Sequence, residues 1–257
     1  KVMCGSNVVS LSGGKDSTAM LLMLLERGED IADIVFFDTG WEFPAMYEHL
    51  DKLENFIGRK ITRLHARLPI GIETEKSPFD WWFSEKPIRK RGTDQVHRIG
   101  CAWPNSLLRW CTGRKQASIH AYLLGLTHLQ NVRLPLQNCV GFAADEQKRM
   151  SGVTKTGGNY YAIRYPLHEW SVTEKDALDY CIKRGFSWDG LYCHFSRVSC
   201  FCCPLKSLSE LKTLRKNFPE LWKKMLLMES WLPEGRDRQF KNSTISSLDA
   251  RFASEEA

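Results

Sequence analysis

The chain has 257 residues, of which 43% are hydrophobic and 26% charged, and a formal net charge of +6. That length allows one large domain, or one domain with a substantial appendage, and the mild positive charge favours anionic partners. No apolar run approaches the about 20 residues that a bilayer span needs, and residues 1–12 lack the pattern of a secretory signal, so no membrane partner is predicted.

The first part of the chain predicts strands that alternate with helices. A buried strand is predicted over residues 7–11, a helix over 18–27 that ends at Gly28, and a second strand over 31–37. A helix over about 44–57 and a third strand in "KITRLHARL" follow. This spacing predicts an α/β fold, with a parallel twisted sheet and helices on both of its faces.

Strand and helix patterns return in the second half of the chain. "CVGFAADEQKR" at 139–149 predicts another strand and its end. Residues 171–185 predict a helix, with Ser171 as its N-cap, Glu174 as the capping partner three residues later and Gly185 as its stop.

Two regions interrupt or extend this pattern. Residues 72–115, which are rich in Trp, Lys and Arg and have no clear period, predict an insertion with a basic loop. Residues 207–232 predict a helical pair, and 233–257 read as polar and loose. We therefore expect an α/β nucleotide-binding domain over 1–195 and a cysteine-rich, helical C-terminal region over 196–257.

The turn after the first strand has the chemistry of a phosphate site. Gly13 and Gly14 let backbone N–H groups approach an anion at the start of a helix, where the helix dipole favours negative charge. Lys15 adds a positive charge, and Ser12 and Ser17 add hydroxyls. The spacing differs both from the longer phosphate loop that ends in GK[ST] and from GxGxxG.

Four motifs then resemble one family in the expected order. "SGGKDS" (12–17) resembles the pyrophosphate-binding loop of the PP-loop ATP pyrophosphatase superfamily, whose fold is adenine nucleotide alpha hydrolase-like. "FFDTGWEFP" (36–44), "GFAADEQKR" (141–149) and "YPLHEWSVTEKD" (165–176) resemble motifs of its phosphoadenosine-phosphosulfate reductase branch.

The resemblance implies that ATP binds at the strand ends and is cleaved between its α- and β-phosphates. The nucleotide-binding residues would be Ser10, Ser12, Gly13, Gly14, Lys15, Asp16, Ser17, Phe37, Asp38 and Thr39. The catalytic residues would be Lys15, Asp16, Ser17, Asp145 and Arg149. Mg²⁺ would contact Asp16 and Asp38, because a hard cation prefers oxygen ligands.

Alternatives stay open for the charged candidates. Asp16 could equally cap the helix, and Asp145 and Glu146 could lie in a solvated loop. Arg149 could clamp a phosphate or pair with an acid on the surface.

The cysteines are numerous, and three of them cluster in "CFCCP". Cys200 and Cys203 form a CxxC turn with Cys202 between them, and Cys101 and Cys111 form a second pair. Four thiolates suffice for a [4Fe–4S] cluster or a structural zinc. The resemblance favours iron–sulfur on Cys101, Cys111, Cys200 and Cys203, with Cys202 as the alternative ligand. Cys4, Cys139, Cys181 and Cys193 are predicted to be packing residues, and this cysteine usage predicts a cytoplasmic protein.

The cysteine layout resembles that of the DNA-phosphorothioation ATP pyrophosphatases best. It implies adenylation of an acceptor on nucleic acid, DNA first and tRNA second, with sulfur from a cysteine desulfurase or another donor protein. The basic stretch "EKPIRKRG" near Trp81, Trp82 and Trp103 supports a nucleic-acid partner, with a solvated loop as the alternative. A homo-oligomer is left open.

Two other functions compete. A sulfonucleotide reductase of this branch carries a catalytic cysteine on its C-terminal tail, whereas "STISSLDARFASEEA" contains none. A nucleotide-binding regulatory subunit without turnover would also need the loop.

Overall fold

The computed structural model describes residues 5–105, 107–129, 134–146, 160–235 and 238–256. The strands are β1 (Asn7–Leu11), β2 (Ile31–Phe37), β3 (Thr62–Leu64), β4 (Pro87–Arg89), β5 (Val96–Ile99), β6 (Leu136–Val140) and β7 (Tyr161–Arg164). The helices are α1 (Lys15–Glu26), α2 (Pro44–Ile57), α3 (Pro78–Ser84), α4 (Trp110–Leu126), α5 (Pro166–Glu169), α6 (Glu174–Lys183), α7 (Leu191–His194), α8 (Leu208–Asn217), α9 (Pro219–Ser230) and α10 (Ile245–Glu256).

A five-stranded parallel sheet organises the α/β part of the chain. Its strand order is β3-β2-β1-β6-β7, so β1 lies in the middle. Val9 of β1 is paired with Ile34 on one side and with Cys139 on the other, and its side chain is fully buried. The predicted α/β fold class is confirmed. Among the described helices, none combines the length and the apolar composition that a membrane crossing needs.

Helix α1 begins at Lys15, three residues earlier than the apolar pattern predicts. Gly14 is the extended N-cap residue, and its carbonyl accepts the N–H of Thr18 at 3.0 Å. The helix packs against both β1 and α6, and Ala19 and Met20 are fully buried. Of the residues expected to bind phosphate, Lys15, Asp16 and Ser17 therefore form the first turn of a buried helix, and 12–14 form the loop that precedes it.

Two predictions about local structure are wrong, one on the start of α6 and one on residues 233–257. The N-cap of α6 is Thr173, which forms a capping box with Asp176, whereas Ser171 lies in a left-handed turn with φ of 55°. Residues 233–257 were expected to be loose, yet they contain α10, whose Ile245 and Phe252 are buried. Burial of apolar positions at helical spacing in a polar segment explains the second difference.

The chain divides into two compact units. The first comprises residues up to 38, 43–64 and 115–198, and the second comprises 39–42, 65–114 and 199 onwards. The five-stranded sheet belongs to the first unit, and the antiparallel hairpin of β4 and β5 belongs to the second. The domain division expected from the sequence stays a prediction.

Aromatic side chains build the core of the second unit. Trp41 lies 4.7 Å from Phe79 between ring centroids, and its indole N–H donates to Asp80 Oδ1 at 2.6 Å. The tryptophans that stand near the basic stretch in the sequence belong to this core, and their side chains are at most 7% exposed. These are Trp81, Trp82 and Trp103.

A buried histidine makes the stability of the first unit depend on pH. His49 stacks on Trp188 with 4.5 Å between ring centroids, and its Nε2 lies 3.0 Å from the Thr18 hydroxyl. Burial, together with the charge of Lys52, lowers the pKa of His49 to about 3. The unfolded chain accepts this proton near its ordinary pKa, so the contribution of His49 to stability is complete at neutral pH and declines as the pH falls below that value.

We expect this single group to remove about 2 kcal/mol from the free energy of unfolding between pH 7 and pH 5. Urea unfolding at both pH values should show a smaller difference for His49→Gln, because glutamine does not titrate. The exposed His128 provides the control, and His128→Gln should keep the wild-type difference. Equal pH dependence of wild type and His49→Gln would contradict the assignment.

Candidate active site and cysteine group

The loop between β1 and α1 is fixed from two sides. Gly13 has a φ of 78°, and a Cβ there would lie 2.3 Å from Sδ of Met46. The indole N–H of Trp188 donates to the Gly13 carbonyl at 2.7 Å. These contacts hold the carbonyl side of the turn inside the protein.

The polar groups of the loop converge on the first turn of α1. The N–H of Ser12 donates to Ser17 Oγ at 3.1 Å, and that hydroxyl donates to the Gly14 carbonyl at 3.1 Å. The N–H of Lys15 donates to the hydroxyl of Tyr192 at 2.7 Å. A helix N-terminus with a lysine and hydroxyls is a favourable place for an anion.

Lys15 is a buried cation between two carboxylates. Its Nζ lies 2.5 Å from Glu174 Oε2 and 3.3 Å from Asp16 Oδ2, and its side chain is 7% exposed. Burial alone would lower the pKa of Lys15, but its hydrogen bond to Glu174 and the charges of both acids raise it above the ordinary value. The ammonium therefore stays charged across the neutral range.

Asp16 carries the most perturbed carboxyl of this site. Burial raises its pKa to about 6, and the negative charges of Glu174 and Glu146 add to that effect while Lys15 opposes it. Its Oδ1 is buried without a hydrogen-bond partner in the part of the chain that the structure describes. A carboxylate oxygen in this state has the chemistry that a hard cation prefers, so Asp16 fits the predicted contact with Mg²⁺.

The acidic segment after β6 interacts with Glu174 and Asp16, the two acids beside Lys15. Asp145 Oδ1 accepts the N–H of Glu174 at 3.1 Å, which links this segment to the start of α6. Glu146 accepts the N–H of Ala143 at 3.3 Å and acts electrostatically on Asp16. The other predicted catalytic residue, Arg149, lies outside the described residues.

The remaining predicted nucleotide contacts have different surroundings. Ser10 lies within β1 and donates to Asn138 Oδ1 at 2.7 Å. Phe37 is buried at the end of β2, and Asp38 Oδ1 accepts the hydroxyl hydrogen of Tyr47 at 2.7 Å. Their roles stay predictions. Thr39 belongs to the second unit, where its hydroxyl donates to a carboxylate oxygen of Glu42 at 3.0 Å.

Gly141, at the end of β6, allows the backbone to approach the loop. A Cβ at Gly141 would lie 2.8 Å from Cα of Ser17 and 2.9 Å from its N, and backbone cannot yield as a flexible side chain can. Gly141→Ala is expected to destabilise the protein by about 1–3 kcal/mol, measured by urea unfolding. Gly125→Ala in α4 is the control, because a Cβ there meets nothing within 4 Å. Equal stability of the two variants would contradict this packing.

The cysteine group lies in the second unit. Cys200 Sγ is 3.5 Å from Glu42 Oε1 and 3.6 Å from the Thr39 hydroxyl. Burial raises the pKa of Cys200 and Cys202 well above the ordinary value of a thiol. Burial also raises the pKa of Cys111, and the charge of the nearby Cys203 adds to this effect.

Cys101 has different neighbours from the rest of the predicted ligand set. Burial raises its pKa, and the charged groups that oppose this shift are Lys86, Arg98 and Arg114. No group of three or more His, Cys, Asp or Glu residues within the described ranges is arranged to hold a metal ion. The four-cysteine ligand set therefore stays a prediction, and the charged neighbours of Cys101 are cations.

The donor chemistry nevertheless suits a thiolate-bound metal centre. Four thiols, those of Cys111, Cys200, Cys202 and Cys203, interact electrostatically with one another. The buried Lys206 lies close enough to Cys200, Cys202 and Cys203 for its positive charge to offset the negative charge of their thiolates. Cys139 and Cys181 are buried as predicted, Cys193 is exposed and not a packing residue, and Cys4 lies outside the described residues.

Sequence reasoning missed the partners of the loop. Glu174 was interpreted as a helix-capping residue, whereas its carboxylate binds Lys15. Trp188 and Tyr192 contact the loop from 175 and 177 residues away along the chain, and no local pattern marks them. An acid at the first position of α6, within a motif of the family (165–176), was the available signal for Glu174.

Comparison with known proteins finds similar chains among curated proteins and among solved structures. A curated relative, an uncharacterised protein of Methanocaldococcus jannaschii, is 26% identical over 224 residues, covering 84% of this chain. The chain spans 40% of the length of that relative.

Two solved structures are also similar. The phosphoadenylyl-sulfate reductase of Candida auris, solved as a phosphate complex, is 14% identical with a TM-score of 0.49, covering 77% of this chain and 83% of that one. The U34-tRNA thiolase NcsA of Methanococcus maripaludis, solved with its [4Fe-4S] cluster, is 14% identical with a TM-score of 0.45, covering 97% of this chain and 73% of that one.

The family itself is established by sequence. The pattern of the phosphoadenosine phosphosulfate reductase domain matches residues 6–206. These include the loop between β1 and α1, the acidic segment after β6 and the CxxC turn. The chain therefore belongs to the phosphoadenosine phosphosulfate reductase domain family, within the PP-loop superfamily that its motifs resemble.

Proposed function

We propose that this chain is an ATP pyrophosphatase that activates an oxygen acceptor by adenylation for sulfur incorporation into nucleic acid, DNA first and tRNA second. The observation that carries the proposal is Lys15, a buried and permanently charged ammonium at the N-terminus of α1. A cation held beside loop hydroxyls at a helix N-terminus suits a leaving pyrophosphate better than a neutral ligand.

The chemistry follows from where charge develops. An oxygen of the acceptor attacks the α-phosphorus of ATP, the bond from that phosphorus to the bridging oxygen breaks, and pyrophosphate leaves with the electron pair. Lys15 and the hydroxyl of Ser17 stabilise the charge that builds on the leaving group. Mg²⁺, held by Asp16, would neutralise phosphate charge when bound.

Product analysis tests the proposal. Purified protein with ATP, Mg²⁺, sulfide as the sulfur source, and single-stranded DNA or tRNA as acceptor should form pyrophosphate in the adenylation step and an equal amount of AMP when sulfur displaces the adenylate from the acceptor. Release of ADP and phosphate would contradict cleavage at the α-phosphorus. Binding of ATP without any turnover would favour a regulatory subunit.

An iron–sulfur cluster belongs to the same proposal. Cys111, Cys200 and Cys203 would hold it, with Cys202 as the fourth ligand in place of Cys101. When bound, the cluster would either bind the incoming sulfur or transfer electrons. A cysteine desulfurase or another donor protein would provide the sulfur.

The proposed nucleic-acid surface is the hairpin of β4 and β5. Arg89, Lys90 and Arg91 are exposed there, and Arg89 forms a long ion pair of 4.0 Å with Asp94. Because the nearby tryptophans are buried, recognition would rest on phosphate contacts and not on base stacking.

Neutralising these three cations to glutamine should flatten the salt dependence of binding, by about one unit of slope for each phosphate group that the protein no longer neutralises. Filter binding with single-stranded DNA, duplex DNA and tRNA at several salt concentrations measures the slope. Lys175→Gln, at an exposed site in α6, is the control. An unchanged slope, or no binding at low salt, would contradict this surface.

The family match supports sulfonucleotide reduction as a second candidate. Incubation with a labelled sulfonucleotide and reduced thioredoxin separates the two functions. Release of sulfite would favour the reductase, and its absence together with pyrophosphate release from ATP would favour the pyrophosphatase.

A further inference from the structure

The segment from Trp188 to Tyr192 makes two hydrogen bonds with the loop between β1 and α1 and the first residue of α1. The indole N–H of Trp188 donates to the carbonyl of Gly13, and the Tyr192 hydroxyl accepts the N–H of Lys15, each at 2.7 Å. The two rings meet edge to face, with 4.9 Å between centroids. The Tyr192 ring is thereby held in one orientation, with its oxygen at the first turn of α1.

The backbone of this segment is strained. Trp188 and Asp189 have φ values of 50° and 49°, in the left-handed region that residues other than glycine seldom adopt. Strain of this kind persists only where surrounding contacts over-determine the conformation, and it is concentrated at functional sites. The contacts that Trp188 and Tyr192 make with the loop are the ones that this conformation permits.

The Tyr192 hydroxyl has one hydrogen still to donate. A phenolic oxygen can accept one hydrogen bond and donate another, and this one accepts from Lys15. In the described part of the chain, no group accepts the hydroxyl hydrogen of Tyr192. Burial raises the pKa of Tyr192, so the hydroxyl keeps its hydrogen at neutral pH.

We propose that Tyr192 is a phosphate ligand of this site, whose hydroxyl accepts the N–H of Lys15 and donates its own hydrogen to a phosphate oxygen. The inference rests on the proposed function, because it assigns a further contact to the same phosphates. The ligand class is a di- or triphosphate group, and the ammonium of Lys15, 5.6 Å from the ring centroid, lies beside the same position.

Pyrophosphate itself is the probe, with binding to Tyr192→Phe measured by calorimetry. This variant keeps the ring and its packing and removes only the hydroxyl. Because the variant cannot make this hydrogen bond to a charged group, pyrophosphate should bind about tenfold more weakly or worse. The thermal unfolding midpoint should fall by only about 2–4 °C, because the hydrogen bond from the Lys15 N–H is lost while the ring packing is kept. Tyr180→Phe is the control, because the Tyr180 ring lies against Arg184, 3.5 Å from the guanidinium carbon, and should bind pyrophosphate as wild type does.

The sign of the change separates a ligand from a residue that merely occupies the loop. If Tyr192 only capped the N–H of Lys15, its removal would free that N–H for phosphate, and pyrophosphate would bind equally or more tightly. That result would overturn the proposal, as would no binding of pyrophosphate to wild type. Release of ADP by wild type, together with the tenfold weaker binding in Tyr192→Phe, would contradict the proposed function and leave this contact standing.

Discussion

Replacing Lys15 by alanine is expected to lower the rate of pyrophosphate release from ATP by about 100-fold or more, because the cation stabilises charge that develops on the leaving group. The variant would also leave the carboxylates of Asp16 and Glu174 without the ammonium that lies 3.3 and 2.5 Å from them. Unpaired carboxylates would then repel the phosphates. Steady-state assays of AMP and pyrophosphate formation measure the effect.

The control is Lys175→Ala, which removes an exposed lysine next to Glu174 and should keep the wild-type rate. Binding of ATP to both variants should be compared, so that a decrease in turnover is separated from a decrease in binding. A Lys15→Ala enzyme that retains more than about a tenth of the rate would show that the loop acts without this cation.

The second large effect concerns iron. Protein purified without oxygen should contain iron and acid-labile sulfide in comparable amounts, and Cys111→Ser, Cys200→Ser and Cys203→Ser should each lose most of both. The reason is that removing one thiolate ligand leaves a coordination site that a serine hydroxyl fills poorly. Iron and sulfide analysis with absorption spectra provides the measurement.

Two further variants sharpen this test. Cys193→Ser alters an exposed cysteine and should retain the iron. Cys101→Ser should also retain it, because the charged neighbours of Cys101 are the cations Lys86, Arg98 and Arg114. Loss of iron from Cys101→Ser would restore the ligand set expected from the sequence, and stoichiometric zinc without iron would contradict the cluster.

The α/β fold and the strand–loop–helix unit of β1 and α1 could be predicted because their signals are local. A β-branched run, a glycine pair and an apolar helix follow one another within residues 7–26, and each element is specified by its own residues. The order of such units then limits the topology to few arrangements. The resemblance to the family predicts the chemistry of the site, which stays a prediction, whereas the family itself is confirmed.

The contacts of the site were less predictable because they join distant parts of the chain. Glu174 pairs with Lys15 across 159 residues, and its position at the start of a helix gives a competing local explanation. Burial was a second difficulty. Trp81 and Trp82 stand beside a basic stretch in the sequence, but their rings belong to an aromatic core that only tertiary structure reveals.

The position of β1 in the sheet has a consequence for how the protein is made. β1 pairs with β2, which follows after one helix, but its other edge pairs with β6, where Ser10 and Asn138 are 128 residues apart. At about 5–20 residues per second, a ribosome leaves that edge unpaired for several seconds after β1 emerges. Unpaired strand edges recruit strands from other chains. We therefore expect nascent chains that stop before residue 136 to aggregate more readily, because β1 has no partner on that edge until β6 emerges.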